Sequence, residues 1–298
     1  MIVPTSLQKG DEIRIISTAR KVSPEEMAPA RALLENWGYC VSYGQNLFMQ
    51  SNQFSGTTKQ RVEDLQNAIE DEKVKAILCA RGGYGTAKII DEINFDKLID
   101  NPKWIIGFSD VTTLHAHLNK LGIASIHATM PILFQKTAAQ KSLSTLKNVL
   151  TKQKNKYEFS YHKLNKTGEV QGEVIGGNLT IIQNMIGTPS DIDTGGKILF
   201  LEDLDEYLYH VDRLMTHLFR AGKLSKLKGL IIGSMSGMHD NKIPFGKTAY
   251  EIIADSVRKF NYPVAFNAPI GHEDDNFAII CGEKLSLKVS EKATIVEQ

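Results

Sequence analysis

The sequence predicts an α/β protein, with a parallel sheet flanked by helices in the first part and a second domain after it. Three observations carry this. Strand and helix signals alternate from Glu12 to Ala128; a polar stretch, Gln135–Tyr157, interrupts them; and residues 283–297, "EKLSLKVSEKATIVE", alternate as a two-stranded hairpin does. The 298 residues suit two domains of ordinary size, although one large α/β domain fits the same length.

Each element has its own local reason. Glu12–Thr18 ("EIRIIST") reads as a strand, and Ser23-Pro24-Glu25-Glu26 supplies an N-cap, a proline at N1 and a glutamate at N3. That helix runs to Trp37 and ends at Gly38, a C′ glycine, before the short strand Cys40–Tyr43. Thr58–Glu70 is a helix with Val62, Leu65 and Ile69 on one side. Val74–Ala80 is a continuously apolar strand, buried on both faces. Trp104–Phe108 and Ile123–Ala128 complete the set. Gln135–Tyr157 contains one helix, Ala138–Leu150, and reads as a link between domains at residues 1–135 and 166–298. Beyond it, Gly168–Val174 is strand-like, "IGGNL" at 175–179 is a glycine turn leading into a helix, and Lys197–Leu201 and Gly229–Ile232 are strands. Tyr207–Ala221 and Lys247–Lys259 are helices.

Composition narrows the function classes. With 35 Lys+Arg against 34 Asp+Glu the net charge is +1, so the basic excess of a nucleic-acid binder is missing. The one Lys-rich run, Thr151–Lys156, reads as a solvated connector. No basic segment precedes a long apolar one at the start, and no apolar run nears the roughly 20 residues that span a bilayer. Cys40, Cys79 and Cys281 are too few and too scattered for a disulfide framework or a metal site. These features fit a cytoplasmic protein with neither metal nor cofactor.

The stretch "KWIIGFSDVTTLHAHLNKLG" at 103–122 passes from strand to helix at Ser109. In a parallel sheet that junction lies at the carboxyl edge, where ligands bind. A sharp turn there aims the hydroxyl into the crevice beside the free amides of Asp110 and its successors, as in a nucleophile elbow. The local sequence is not GxSxG, and taken alone the stretch fits a plain N-cap serine better. "CARGGYGT" at 79–86 also follows a strand and precedes a helix signal. Gly82, Gly83 and Gly85 let the backbone approach a ligand, making a coherent second half of an oxyanion hole but a poor phosphate loop. Arg81 at that edge reads either as structural or as a partner for a substrate carboxylate.

A nucleophilic serine requires a base, and the base an orienting group. Of eight histidines, His272 follows Pro269 and Gly271 in a polar turn between apolar strands; His127, ending the fifth strand, is the second candidate. Glu202 ends a buried strand, where an acid demands a partner, and Asp203 and Asp205 are alternatives. His115 and His117 lie along a helix, and the other four histidines lack supporting context. Cys79 as the nucleophile of an amidotransferase-like site fits less well, because it sits inside an apolar run. A non-catalytic module gripping an anion with Gly82–Gly85 is the rival of a different class.

"LCARGGYGTAKIID", "NPKWIIGFSDVTTLH", "GEVIGGNL", "LFLEDLDE" and "APIGHEDDN", in that order, resemble the murein LD-carboxypeptidases. These serine peptidases remove the terminal D-alanine of cytoplasmic murein tetrapeptides. The resemblance runs from about Gly10 to the final hairpin. It implies a flavodoxin-like N-terminal domain, a smaller, mostly-β α+β C-terminal domain and a homodimer. It also implies a Ser109–Glu202–His272 triad split between the domains and an oxyanion hole from the amides of Gly83 and Asp110. A sister group of microcin-C-type immunity peptidases shares the triad but tends to carry an extra aromatic-rich loop. With Trp37 and Trp104 both in N-terminal elements, murein processing ranks first.

Overall fold

The computed structural model describes residues 1–136 and 139–298. In the first half, β1 (Glu12–Ile16), β2 (Cys40–Tyr43), a small ribbon of β3 (Gln50–Ser51) and β4 (Phe54–Ser55), β5 (Val74–Cys79), β6 (Trp104–Gly107) and β7 (Ser125–His127) alternate with helices. Those helices are α1 (Pro24–Asn36), α2 (Thr58–Glu70), the single-turn α3 (Lys97–Asp100), α4 (Thr112–Lys120) and α5 (Gln140–Leu150). The predicted caps are in place: Ser23 and Glu26 exchange the two bonds of a capping box, and Gly38 takes φ +98°. The predicted start of the fifth helix at Ala138 lies outside the described residues.

β2, β1, β5, β6 and β7 run parallel in that order across the sheet. This is the flavodoxin-like winding, with its switch point between β1 and β5. Alternation sorts the strand side chains. Ala76 and Leu78 of β5 pack with Met27, Ala30 and Leu34 of α1 and with Leu143 and Leu146 of α5. Ile77 and Cys79 pack on the other face with Leu65 of α2 and Leu114 and Leu118 of α4. The polar stretch after residue 135 therefore contains a helix seated on the first sheet, held by apolar residues three and four apart.

The second sheet comprises β8 (Lys156–Ser160), β9 (Gly168–Asn178), β10 (Ile198–Leu204), β11 (Gly229–Ser236), β12 (Val264–Ala265), β14 (Lys284–Val289) and β15 (Ala293–Glu297). Its order is β12-β11-β10-β9-β14-β15-β8, with β9 to β12 parallel and the rest antiparallel. Helices α6 (Leu179–Asn184), α7 (Leu208–Arg220) and α8 (Ala249–Ser256) cover one face. One strand changes sides: β13 (Ile279–Cys281) pairs antiparallel with β7 and extends the first sheet.

Two glycine segments fold differently from expectation. "IGGNL" is not a turn, for β9 continues through Gly176 and Gly177 to Asn178, paired with Phe200 to Glu202 of β10. These glycines hold φ +148° and +141°, and a Cβ on Gly176 would lie 1.9 Å from the Phe200 carbonyl oxygen. A Cβ on Gly177 would lie 2.4 Å from Thr112 Oγ1, so its absence brings β9 against α4. After "CARGGYGT" the chain forms two short 3-10 turns, Thr86–Lys88 and Ile90–Glu92, rather than a helix. The carboxyl ends of β5 and β6 and those of β9, β10 and β11 consequently face one another.

Candidate active site

Ser109 follows β6 at φ +63°, a left-handed conformation that a non-glycine residue adopts only when its surroundings hold it there. The turn is crowded on both sides. A Cβ on Gly107 would lie 2.9 Å from Val111, and one on Gly82 would lie 3.0 Å from Ser109 Cβ. The hydroxyl makes no capping bond to the following amides. The N-cap reading therefore fails: in the αR-like turn that follows, the left-handed backbone lifts Oγ away from the helix amides. Oγ instead stands 3.1 Å from His272 Nε2.

The His272 ring is fixed from behind. Its Nδ1 lies 2.7 Å from Glu202 Oε2, and its face packs against Phe108 with centroids 4.8 Å apart. A carboxylate only accepts, so Nδ1 carries the proton and donates, and the Nε2 lone pair meets the serine O–H. Glu202 is fully buried near the end of β10. Burial alone would pull the imidazole pKa down, but the bond to Glu202 and the charges of Glu202, Asp203 and Glu273 leave it raised.

The neighbouring acids turn elsewhere. Asp203, on the opposite face of β10, accepts from Asn178 Nδ2 (2.8 Å), Thr180 N (3.0 Å) and Thr180 Oγ1 (2.9 Å), and burial beside Glu202 pushes it up to about 6. Asp205 pairs with His239 Nε2 at 2.6 Å on the rim. Neither bonds His272. His127 is buried and bonds Asn276 rather than a hydroxyl nucleophile. His115 is bound by Ser125 and the Gly107 carbonyl, and His117 by Ser190. Cys79 lies inside β5, where burial pushes its thiol up to about 12. Such a group is inert, and the cysteine-nucleophile reading falls with it.

Ser109 and His272 open into a cavity of about 620 Å3 between the lobes. Arg20, Arg81, Gly82 and Gly83 line one wall; Glu206, Glu273 and Asp274 line the other. Arg81 makes no side-chain hydrogen bond or ion pair among the described residues. The Asp110 carboxylate does not reach the cavity: it accepts from Thr86 N (2.8 Å) and Thr86 Oγ1 (2.6 Å), tying the glycine loop after β5 to the serine turn after β6. Burial pushes this carboxyl up. Sequence reasoning missed that clamp, as it missed Arg20, Ser234 and Asn276. Asn276 did stand inside a quoted motif, four residues beyond His272.

Comparison with known proteins gives the family. Residues 13–128 match the model of the LD-carboxypeptidase N-terminal domain, and residues 171–287 that of the C-terminal domain. The chain is 31% identical to the probable murein peptide carboxypeptidase of Bacillus subtilis (strain 168) over 99% of its length and 94% of that protein. The crystal structure of muramoyltetrapeptide carboxypeptidase from Oxalobacter formigenes superposes with TM-score 0.88 at 26% identity, covering 96% of this chain and 98% of that one. A MccF-like protein from Bacillus anthracis str. Ames superposes with TM-score 0.86 at 26% identity, covering 99% of each. Similarity across nearly the full length of both lobes leads to one assignment: the chain belongs to the LD-carboxypeptidase family and is a serine carboxypeptidase.

Proposed function

We propose that Ser109, His272 and Glu202 form the catalytic triad, and that the chain removes the terminal D-alanine from murein tetrapeptides during peptidoglycan recycling in the cytoplasm. The observation that carries this is the pair of contacts at 3.1 Å and 2.7 Å that links a strained serine through one imidazole to a buried carboxylate. Ser109 Oγ attacks the amide carbon of the L-lysyl or L-diaminopimelyl residue while His272 Nε2 takes the hydroxyl proton. The backbone N–H groups of Gly83 and Asp110 hold the oxyanion. Collapse breaks the C–N bond, His272 protonates the leaving amine, and D-alanine departs. Water, deprotonated by His272, then attacks the ester and frees Ser109.

The cavity walls support this substrate class. The D-alanine carboxylate is suited to Arg81 beside Gly82, and the amine of the acyl residue to the wall of Glu206, Glu273 and Asp274. The expected assembly is a homodimer, as in the family.

The test is release of free D-alanine, followed by mass spectrometry, from tetrapeptides bearing lysine, diaminopimelate or its amidated form. Ser109→Ala is expected to lose at least about a thousandfold in kcat with its thermal midpoint kept. Near-normal release by that variant would reject the triad. Turnover of a peptidyl nucleotide but of no tetrapeptide would move the activity to the immunity class.

A further inference from the structure

The loop that carries His272 runs between the lobes. It leaves the second sheet at Ile270 and enters the first as β13. On the second-sheet side the His272 amide donates to Ser234 Oγ at 3.0 Å. On the other side the Gly271 amide donates to Asn276 Oδ1 at 3.0 Å, and the same oxygen lies 3.0 Å from His127 Nε2. A backbone N–H can only donate, which makes this Asn276 atom the carbonyl oxygen. Its partner Nε2 must therefore carry the His127 proton. His127 sits at the end of β7, hydrogen-bonded to β6, whose next turn presents Ser109.

We propose that His127 and Asn276 are positioning residues for catalysis: the His127 N–H, through Asn276 Oδ1, registers the His272 backbone to the sheet that bears Ser109. This rests on the triad reading above. The bridge suits the task because it does not titrate in the working range. His127 is fully buried among Phe108, Phe200 and His115, and that burial pulls its pKa down to about 3, so the ring stays neutral. Asn276 is itself held by its own amide, which donates to Ser142 Oγ of α5 at 2.8 Å. The first lobe thus grips the base loop through two elements, β7 and α5.

The bridge is tested with His127→Met, His127→Gln and Asn276→Ala in the full-length protein, each assayed for D-alanine release and for the rate of Ser109 labelling by a serine-directed phosphonate. Misplacing a catalytic group by a fraction of an ångström costs on the order of tenfold to a hundredfold. His127→Met is expected to lose about tenfold or more in kcat with KM within about twofold, and its acid limb should move to lower pH as the imidazole slackens from Glu202. His127→Gln, which keeps an N–H at that reach, should recover most of the rate. If His127→Met fails to fold, Asn276→Ala reads the same bridge from its other end. The double variant should be no slower than Asn276→Ala alone, because both act through one contact. Normal labelling and turnover in His127→Met or Asn276→Ala would overturn the bridge, as would equal losses in the Met and Gln variants or additive losses in the double. Ser109→Ala and His272→Ala run alongside as controls: if they remain active the triad reading fails, whereas if they are dead while His127→Met is normal only the bridge fails.

Discussion

At the scale of single residues, the site depends on positions where a Cβ cannot be accommodated. Gly271 precedes the proposed base at φ +123°, and a side chain there would begin 2.3 Å from Ser234 Oγ and 2.9 Å from Glu202 Oε2. Gly271→Ala is therefore expected to displace the imidazole from its carboxylate. Its kcat should fall by roughly a hundredfold or more, a loss checked by steady-state kinetics beside a circular-dichroism spectrum unchanged from wild type. Protonation has its own signature. The raised His272 pKa predicts an acid limb of kcat/KM above the ordinary histidine range, since the base must be neutral to accept the serine proton. Stability runs the other way at two buried rings, which fall from the ordinary 6.5 to about 4 at His115 and about 3 at His127. Below pH about 6.5 the unfolded chain binds protons that the folded one refuses, so the thermal midpoint should fall steadily between pH 6.5 and 4. A midpoint flat across that interval would contradict the neutral rings. Ser109, Glu202 and His272 were each candidates in the sequence from their place at or beside a strand end, but Ser109 alone read better as a cap and Glu202 stood beside Asp203 and Asp205, and only the family resemblance joined the three. Their supports were not candidates, because a serine such as Ser234 or an asparagine such as Asn276 looks like any loop residue until its partner is known.

At the scale of elements, legibility followed the range of the forces involved. The start of α1 was readable because its capping box is made from residues three apart, and α2 because Val62, Leu65 and Ile69 recur at helical spacing on one side. The end of β9 was not, since glycines that usually break a strand here let it pass between β10 and α4. The amide of Asn178, one residue on, donates to Thr112 Oγ1 at 3.0 Å and so ties the second sheet to the helix behind Ser109. Gly176→Ala meets backbone and should fail to accumulate as folded protein. Gly177→Ala meets a threonine side chain that can turn aside; it should fold with a thermal midpoint lower by several degrees and a kcat lowered by the shifted lobe contact. Thermal melts of the two purified variants check the order, and Gly176→Ala proving the milder of the pair would refute it.

At the scale of the whole molecule, the two halves are interleaved rather than merely adjacent. β13 completes the first sheet, and Ala116 of α4 packs in the core beneath α6 and α7. Alternating signals revealed both sheets, but nothing local marks Ile279–Cys281 as belonging with β7 rather than with its sequence neighbours. Shared cores predict one cooperative transition. Scanning calorimetry should give a single peak whose van't Hoff and calorimetric enthalpies agree, whereas two resolved peaks would show that the lobes melt separately.

The crossing of β13 also bears on how the chain is made. While a ribosome is still producing the second half, β7 stands as an open edge with unpaired amides and carbonyls. Its mate, Ile279–Cys281, is made only after most of the second lobe. The nascent protein must carry an unfinished sheet until Ile279–Cys281 has been made, and a chain truncated before Ile279 would present that edge to whatever strand came by, which marks such fragments for aggregation or degradation.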